Sequence, residues 1–378
     1  MFNYFKQTLA NVAGTQEPEY GPSAIQPVGQ RDGDPAFTEV KKEHLKWMTI
    51  SSASVETQTF YFQTDAGHLG FVQVIYSNVV GLRVTCQFNC KIFYPNNEKP
   101  TLWSSDPVDN YGFDENQYCF YADGVSVELS EDGTFYTIKS ATNENSLVNL
   151  KVTKAAPGFM GGKDGTSNYG TDPKNPWGWM RHAFWPRCKV EGSIITKDGE
   201  INCKGRGFYS FALQGMKPHH AAARWNFVNF QSPTYSASIM EFTTPPSYGS
   251  TAVRAGGIAV DDKLLLAGTS GMEVKHTQAQ QDAETDWPEP TGISCHWEGK
   301  TADGKDVSAR LSGPLHPRLD RVDVMAEVPG FVKTLVASAV GTKPYIYQFS
   351  QKMTIEVKIG EEVKHEEGWL FLEASFVC

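Results

Sequence analysis

The sequence predicts an all-β protein of two antiparallel barrels in tandem, with an amphipathic helix at its N-terminus and one further helix near residues 329–341. Three observations carry this expectation. Apolar and polar residues alternate with a period of two in both halves of the chain, Asp-Gly pairs punctuate the alternation, and only one segment of the body has the punctuation of a helix. A chain of 378 residues is about twice the commonest domain size, which gives each barrel room for its own core.

Residues 1–13, MFNYFKQTLANVA, place Met1, Phe2, Phe5, Leu9 and Val12 on one face and Asn3, Lys6, Gln7 and Asn11 opposite. So short a helix is marginal alone in water, and its pattern implies a surface to lie on, either a bilayer or the protein itself. Burying each of Phe2, Phe5 and Leu9 contributes roughly 1.5–3 kcal/mol, enough for reversible membrane contact and too little for permanent anchoring. Residues 14–44 are rich in Pro and Gly and read as a linker, so the helix is expected to stand outside the body.

The alternation is clearest at Leu82, Val84, Cys86, Phe88, Cys90 and Ile92, and it returns at Val125–Leu129, Val148–Val152, Cys188–Ile194, Tyr235–Ile239, Val322–Val328 and Met353–Ile359. Asp132-Gly133, Asp198-Gly199 and Asp303-Gly304 supply hairpin turns. Pro329–Gly341 begins with Pro, ends with Gly and carries an apolar stripe of Val332, Leu335, Val336, Ala339 and Val340, which predicts a helix lying on a barrel. We place the first barrel at residues 45–217 and the second at 218–378, dividing at Met216–His220. Gly158–Trp179 reads as a long glycine-rich loop, either a lid or a disordered excursion.

A net charge of −9 offers no field for a phosphate backbone, so nucleic acid is not an expected partner. Seven cysteines, an odd number without a C-x-x-C pair, read as reduced thiols in a cytosolic protein. Cys86 and Cys90 fall on the apolar face of their strand and are expected to pack as small hydrophobes. The common hydrolase, metalloprotease, nucleotide-loop and dinucleotide motifs are absent, so no catalytic residue, metal or cofactor is expected. His219-His220 could supply a base or a ligand, but neighbours on a strand point to opposite faces. Aromatic residues are plentiful. Those in or beside predicted strands, Trp47, Phe60, Phe62, Trp103, Phe120, Trp177, Trp179, Trp185, Trp225 and Phe227, together with His219 and His220, are the candidate lining of a lipid cavity.

MFNYFK at the start, the strand from Trp185 to Ile194, Gly207–Ser232 and Asp320–Phe349 together resemble the fungal survival factor 1 family over most of the chain. The resemblance implies two lipocalin-like barrels, remotely similar to bacterial carotenoid hydratase-like proteins, and non-vesicular movement of ceramide from endoplasmic reticulum to Golgi in support of survival under oxidative stress. It also implies N-acetylation of a retained Met1, which Phe2 favours by its size and which would remove a charge that resists burial. The address so implied is cytoplasmic, peripherally on Golgi and endoplasmic reticulum membranes, with the nucleus as a further location. A monomer with a ceramide-like ligand and a reversible membrane partner is expected. Two other readings stay open: a hydratase or isomerase of isoprenoid-like lipids, and an interaction protein whose barrels are fully packed.

Overall fold

The computed structural model describes residues 20–79, 83–216, 218–327 and 344–377. The expected helices at 1–13 and 329–341 lie outside the described residues. Among these, the strands form two antiparallel sheets of sixteen and ten strands. The first holds the strands from Ile25 to Gln214, the second those from Arg224 to Phe376, and the helical turn Pro218–Ala221 lies between them.

The main path of the first sheet runs Leu102–Pro107, Arg83–Phe93, Leu69–Val79, Ser54–Thr64, Gly205–Gln214, Gly178–Thr196, Leu147–Lys154, Phe135–Ser140, Val125–Leu129, Phe120–Ala122 and Gly112–Phe113. Its two edge strands are neighbours in the chain, which makes the order circular. The stretch between them is held on both sides, Val108 N donating to Cys86 O (3.0 Å) and Asp123 N to Asp109 O (3.0 Å). The second sheet is circular in the same way, its edges being Lys263–Gly268 and Met272–Gln281. Curling suits strands with one apolar face, because it buries that face, although among the described residues no ladder joins the two edge strands of either sheet. The three Asp-Gly pairs sit between paired strands as expected, with φ of 69° at Gly133, 122° at Gly199 and 82° at Gly304.

Each barrel has its own core, and both are full of side chains. Cys86, Cys90 and Ile92 are wholly inside the first, as their alternation requires. Burial pushes the Cys86 thiol up to about 12, so it packs as a hydrophobe and is not a nucleophile. Two more apolar clusters join the barrels from outside. One gathers Tyr61, Phe71, Phe93, Phe159, Phe184 and Phe208 of the first against Phe227 and Phe371 of the second.

The Pro/Gly-rich stretch departs from the expected linker over its described part, residues 20–44. Ile25–Gln26 pairs with Thr166–Tyr169, and Phe37–Glu39 pairs with Phe159–Gly161. Ala24, Val28 and Val40 are buried. The predicted loop at Gly158–Trp179 is corrected by the same pairs, since two of its segments are strands. Each stretch satisfies its backbone with the other, an arrangement with no local period.

Candidate functional site

The interior of the first barrel is set by the parity of Ser54–Thr64. Phe60 and Phe62 point inward, and a strand's period of two sends Glu56 and Gln58 inward with them. The ladder adds the neighbours: Phe211 lies opposite Gln58, Tyr209 opposite Phe60, and Trp185 opposite Tyr209. The deeper layer is aromatic, with ring centroids 5.0 Å apart for Phe60 and Tyr136, 4.9 Å for Phe60 and Tyr209, and 4.9 Å for Trp185 and Tyr209. The Tyr136 and Tyr209 hydroxyls meet at 3.1 Å.

One end of this interior is capped by the chain just before the first long strand. Trp47 enters from there and packs on Phe113 and Phe211, both 5.6 Å away, and on Phe120. The backbone takes a positive φ of 45° at Thr49, where the N–H groups of Met48 and Thr49 donate to the two oxygens of Glu56 at 2.7 and 3.0 Å. Arg181 donates to His44 O at 2.8 Å from the barrel side. The cap is therefore latched to the wall at two points.

Burial raises the Glu56 carboxyl to about 7 against the pull of those two N–H donors, and it lowers Arg181 from its ordinary range. The Tyr209 hydroxyl is pushed well up by burial. Four buried polar atoms make no hydrogen bond to protein of proper geometry: Trp47 Nε1, Gln58 Nε2 and Oε1, and Trp185 Nε1. All three residues are fully buried, and the Tyr136 hydroxyl lies beside the Gln58 amide. An unpaired buried polar group costs about 1–3 kcal/mol, so these three side chains make the interior of the first barrel the candidate site.

Buried polar atoms without a hydrogen bond of proper geometry also occur at Trp177 Nε1 and Tyr248 Oη in the junction of the barrels, and at Ser238 Oγ in the strand Tyr235–Thr243. In the second barrel the polar groups answer one another: Arg321 donates to both oxygens of Asp282 at 3.0 and 2.8 Å, Tyr347 donates to Asp282 at 2.8 Å, and the hydroxyls of Thr285 and Tyr347 meet at 2.6 Å. Between the barrels, a narrow cleft lined by Tyr61, Phe62, Gln231, Trp369 and Phe371 has room for about one water molecule. Among the described residues, no three His, Cys, Asp or Glu side chains come together as a metal site would require.

The aromatic candidates divide by position. Trp47, Phe60, Phe62, Phe120 and Trp185 are brought together inside the first barrel. Trp103 is not: Leu102 and Ser104 turn inward, so Trp103 faces out, 38 % exposed, with Lys91 Nζ 5.2 Å from its ring. Trp177 and Trp225 pack at the junction of the barrels, where the His220 ring meets Trp177 edge-on at 5.8 Å. Phe227 lies in the other junction cluster, and Trp179 rests half-buried over Gly215. The His219 side chain lies outside the described residues, as do Met1, Phe2, Phe5, Leu9 and Val12. The polar members of the site, Glu56, Gln58, Tyr136, Tyr209 and Arg181, are absent from the aromatic candidates. A signal for two of them was present, since Glu56 and Gln58 share the parity of Phe60 and Phe62.

Solved structures share this architecture. CghA matches with a TM-score of 0.59 at 10 % identity, covering 90 % of this chain and 98 % of its own. Kievitone hydratase from Nectria haematococca matches with a TM-score of 0.54 at 14 % identity, covering 95 % and 97 %. At such identities the likeness establishes the lipocalin-like fold. Sequence relatives are much nearer: the ceramide-binding protein svf-1 of Neurospora crassa is 56 % identical over 100 % of both chains, and ceramide-binding protein svf1 of Aspergillus fumigatus is 55 % identical over 99 % of this chain and 100 % of its own. The fission yeast Schizosaccharomyces pombe has a ceramide-binding protein svf1 that is 41 % identical over 99 % of both. The Svf1 family model matches residues 2–378, and the chain belongs to the Svf1 family.

Proposed function

We propose that this protein binds a ceramide-like lipid and carries it between endoplasmic reticulum and Golgi membranes without vesicles. The observation that carries the reading is the set of fully buried polar atoms of Trp47, Gln58 and Trp185 that lack a hydrogen bond of proper geometry inside the largely aromatic first barrel. Such an interior matches a lipid with a small hydrogen-bonding head and hydrocarbon chains. Relatives that span the whole chain are named as ceramide-binding proteins, which supports the class of ligand. The interior is filled by side chains, so loading is an exchange in which lipid chains displace aromatic rings once the Trp47 cap opens.

Membrane contact is assigned to the segment 1–13, with Met1 acetylated, and the protein's address to the cytoplasm and the cytoplasmic surface of both membranes. Survival under oxidative stress follows from lipid supply rather than from thiol chemistry, because the described cysteines other than Cys119 are buried. We read the protein as a carrier and not a catalyst. The filled cores favour one competing reading, a packed interaction protein that takes no ligand. Mass analysis of lipid retained through purification, with ceramide transfer between liposomes, separates the two. The carrier returns with ceramide and moves it; a chain that returns empty and moves none is the packed protein.

A further inference from the structure

Within the first barrel, the polar atoms differ in what they can recognise. The Tyr136 and Tyr209 hydroxyls meet each other, and both oxygens of Glu56 accept N–H groups from the cap. The indoles of Trp47 and Trp185 are donors only. They meet an ester carbonyl as readily as an amide one. Gln58 is the exception, a fully buried side chain whose acceptor and donor both lack a hydrogen bond of proper geometry, with the Tyr136 hydroxyl beside the amide. A secondary amide, with its own N–H and C=O, answers both. An ester answers only the donor and offers Gln58 Oε1 no N–H.

We propose that Gln58 is the specificity-determining residue that selects an N-acyl lipid over the ester-linked diacyl lipid of the same chain length, while Trp47 and Trp185 donate to oxygens that both lipids possess. The proposal rests on the carrier reading and deepens it. A site built to hydrogen-bond a ligand N–H discriminates strongly against the analogue that lacks it, because its own polar atom is then left without a partner. The expected preference for the amide is roughly tenfold to a hundredfold.

The test uses the full chain and phosphatidylcholine donor vesicles carrying ceramide, chain-matched diacylglycerol or N-methylated ceramide, with transfer to acceptor vesicles as the readout. Wild type should move ceramide roughly ten times faster or more, and N-methylation should reduce ceramide to the level of diacylglycerol. Gln58→Met conserves volume and removes the unpaired amide, so it should fold, and its ratio of ceramide to diacylglycerol should fall to near one. Trp185→Phe should slow both lipids and leave the wild-type ratio in place. A Gln58→Met protein that keeps the wild-type preference overturns the proposal. Equal transfer of ceramide and diacylglycerol by wild type overturns it while the carrier reading stands; transfer of neither overturns both.

Discussion

Glu56 shows how one residue can couple the barrel's cap to pH. Its carboxyl titrates near 4.5 when free and at about 7 in the fold, chiefly because it is buried. The folded state holds the proton more tightly. The stabilisation is therefore complete below about 4.5 and is lost as pH rises through about 7, a change of about 3 kcal/mol across the window. Glu56→Gln cannot titrate, so the difference in urea midpoint between wild type and variant should change steadily through that window. A constant difference would place the titration elsewhere. The site is partly legible at this scale, for the alternation that puts Phe60 and Phe62 inside also puts Glu56 and Gln58 there. What alternation leaves open is whether a buried glutamine has a partner, since the answer depends on Phe211 and Tyr136 from strands distant in sequence.

At the scale of elements, the barrels are joined by more than apolar contact. Lys91 is 2 % exposed and reaches from the Arg83–Phe93 strand to Asp320 Oδ2 at 2.5 Å and Gln348 Oε1 at 2.7 Å in the second barrel. Gln348 in turn donates to Glu373 at 2.7 Å, and burial raises that carboxyl from its ordinary range. Lys91→Met should cost about 1–3 kcal/mol, less than a wholly buried pair because Asp320 is one-third exposed. Denaturation followed by probes in each barrel checks it: wild type should unfold in one step and the variant in two. An unchanged single transition would show that the aromatic layer alone couples the barrels. The pairing of Ile25–Gln26 with Thr166–Tyr169 belongs to this scale too. Both partners look like loops in sequence because two-residue and four-residue strands are too short to show a period.

For the whole molecule, the carrier reading needs one end that meets membranes and one barrel that opens. The strands at the junction are apolar on both faces, Phe60 and Phe62 inward with Tyr61 outward, and Tyr209 inward with Phe208 outward. This spends many of the aromatics on joining the barrels. The proposed membrane contact is assigned to the 1–13 segment, where the expectation is sharp: Phe2→Asp/Phe5→Asp should abolish flotation with liposomes while the thermal unfolding of the body is unchanged. Full flotation of the variant would assign membrane contact to another surface.

The sequence by itself determined the all-β class, the hairpin turns at the Asp-Gly pairs and the inward faces of the long strands, because each follows from neighbours two or three residues apart. It also carried the family resemblance, which rests on long particular stretches. The tertiary structure decided which aromatics share an interior and which join the barrels, since an inward face and a junction face have the same alternation. It decided as well that Gln58 lies beside the Tyr136 hydroxyl without a well-formed hydrogen bond, under a latched tryptophan cap. Such satisfaction is a property of the surrounding strands, and no local pattern in the chain records it.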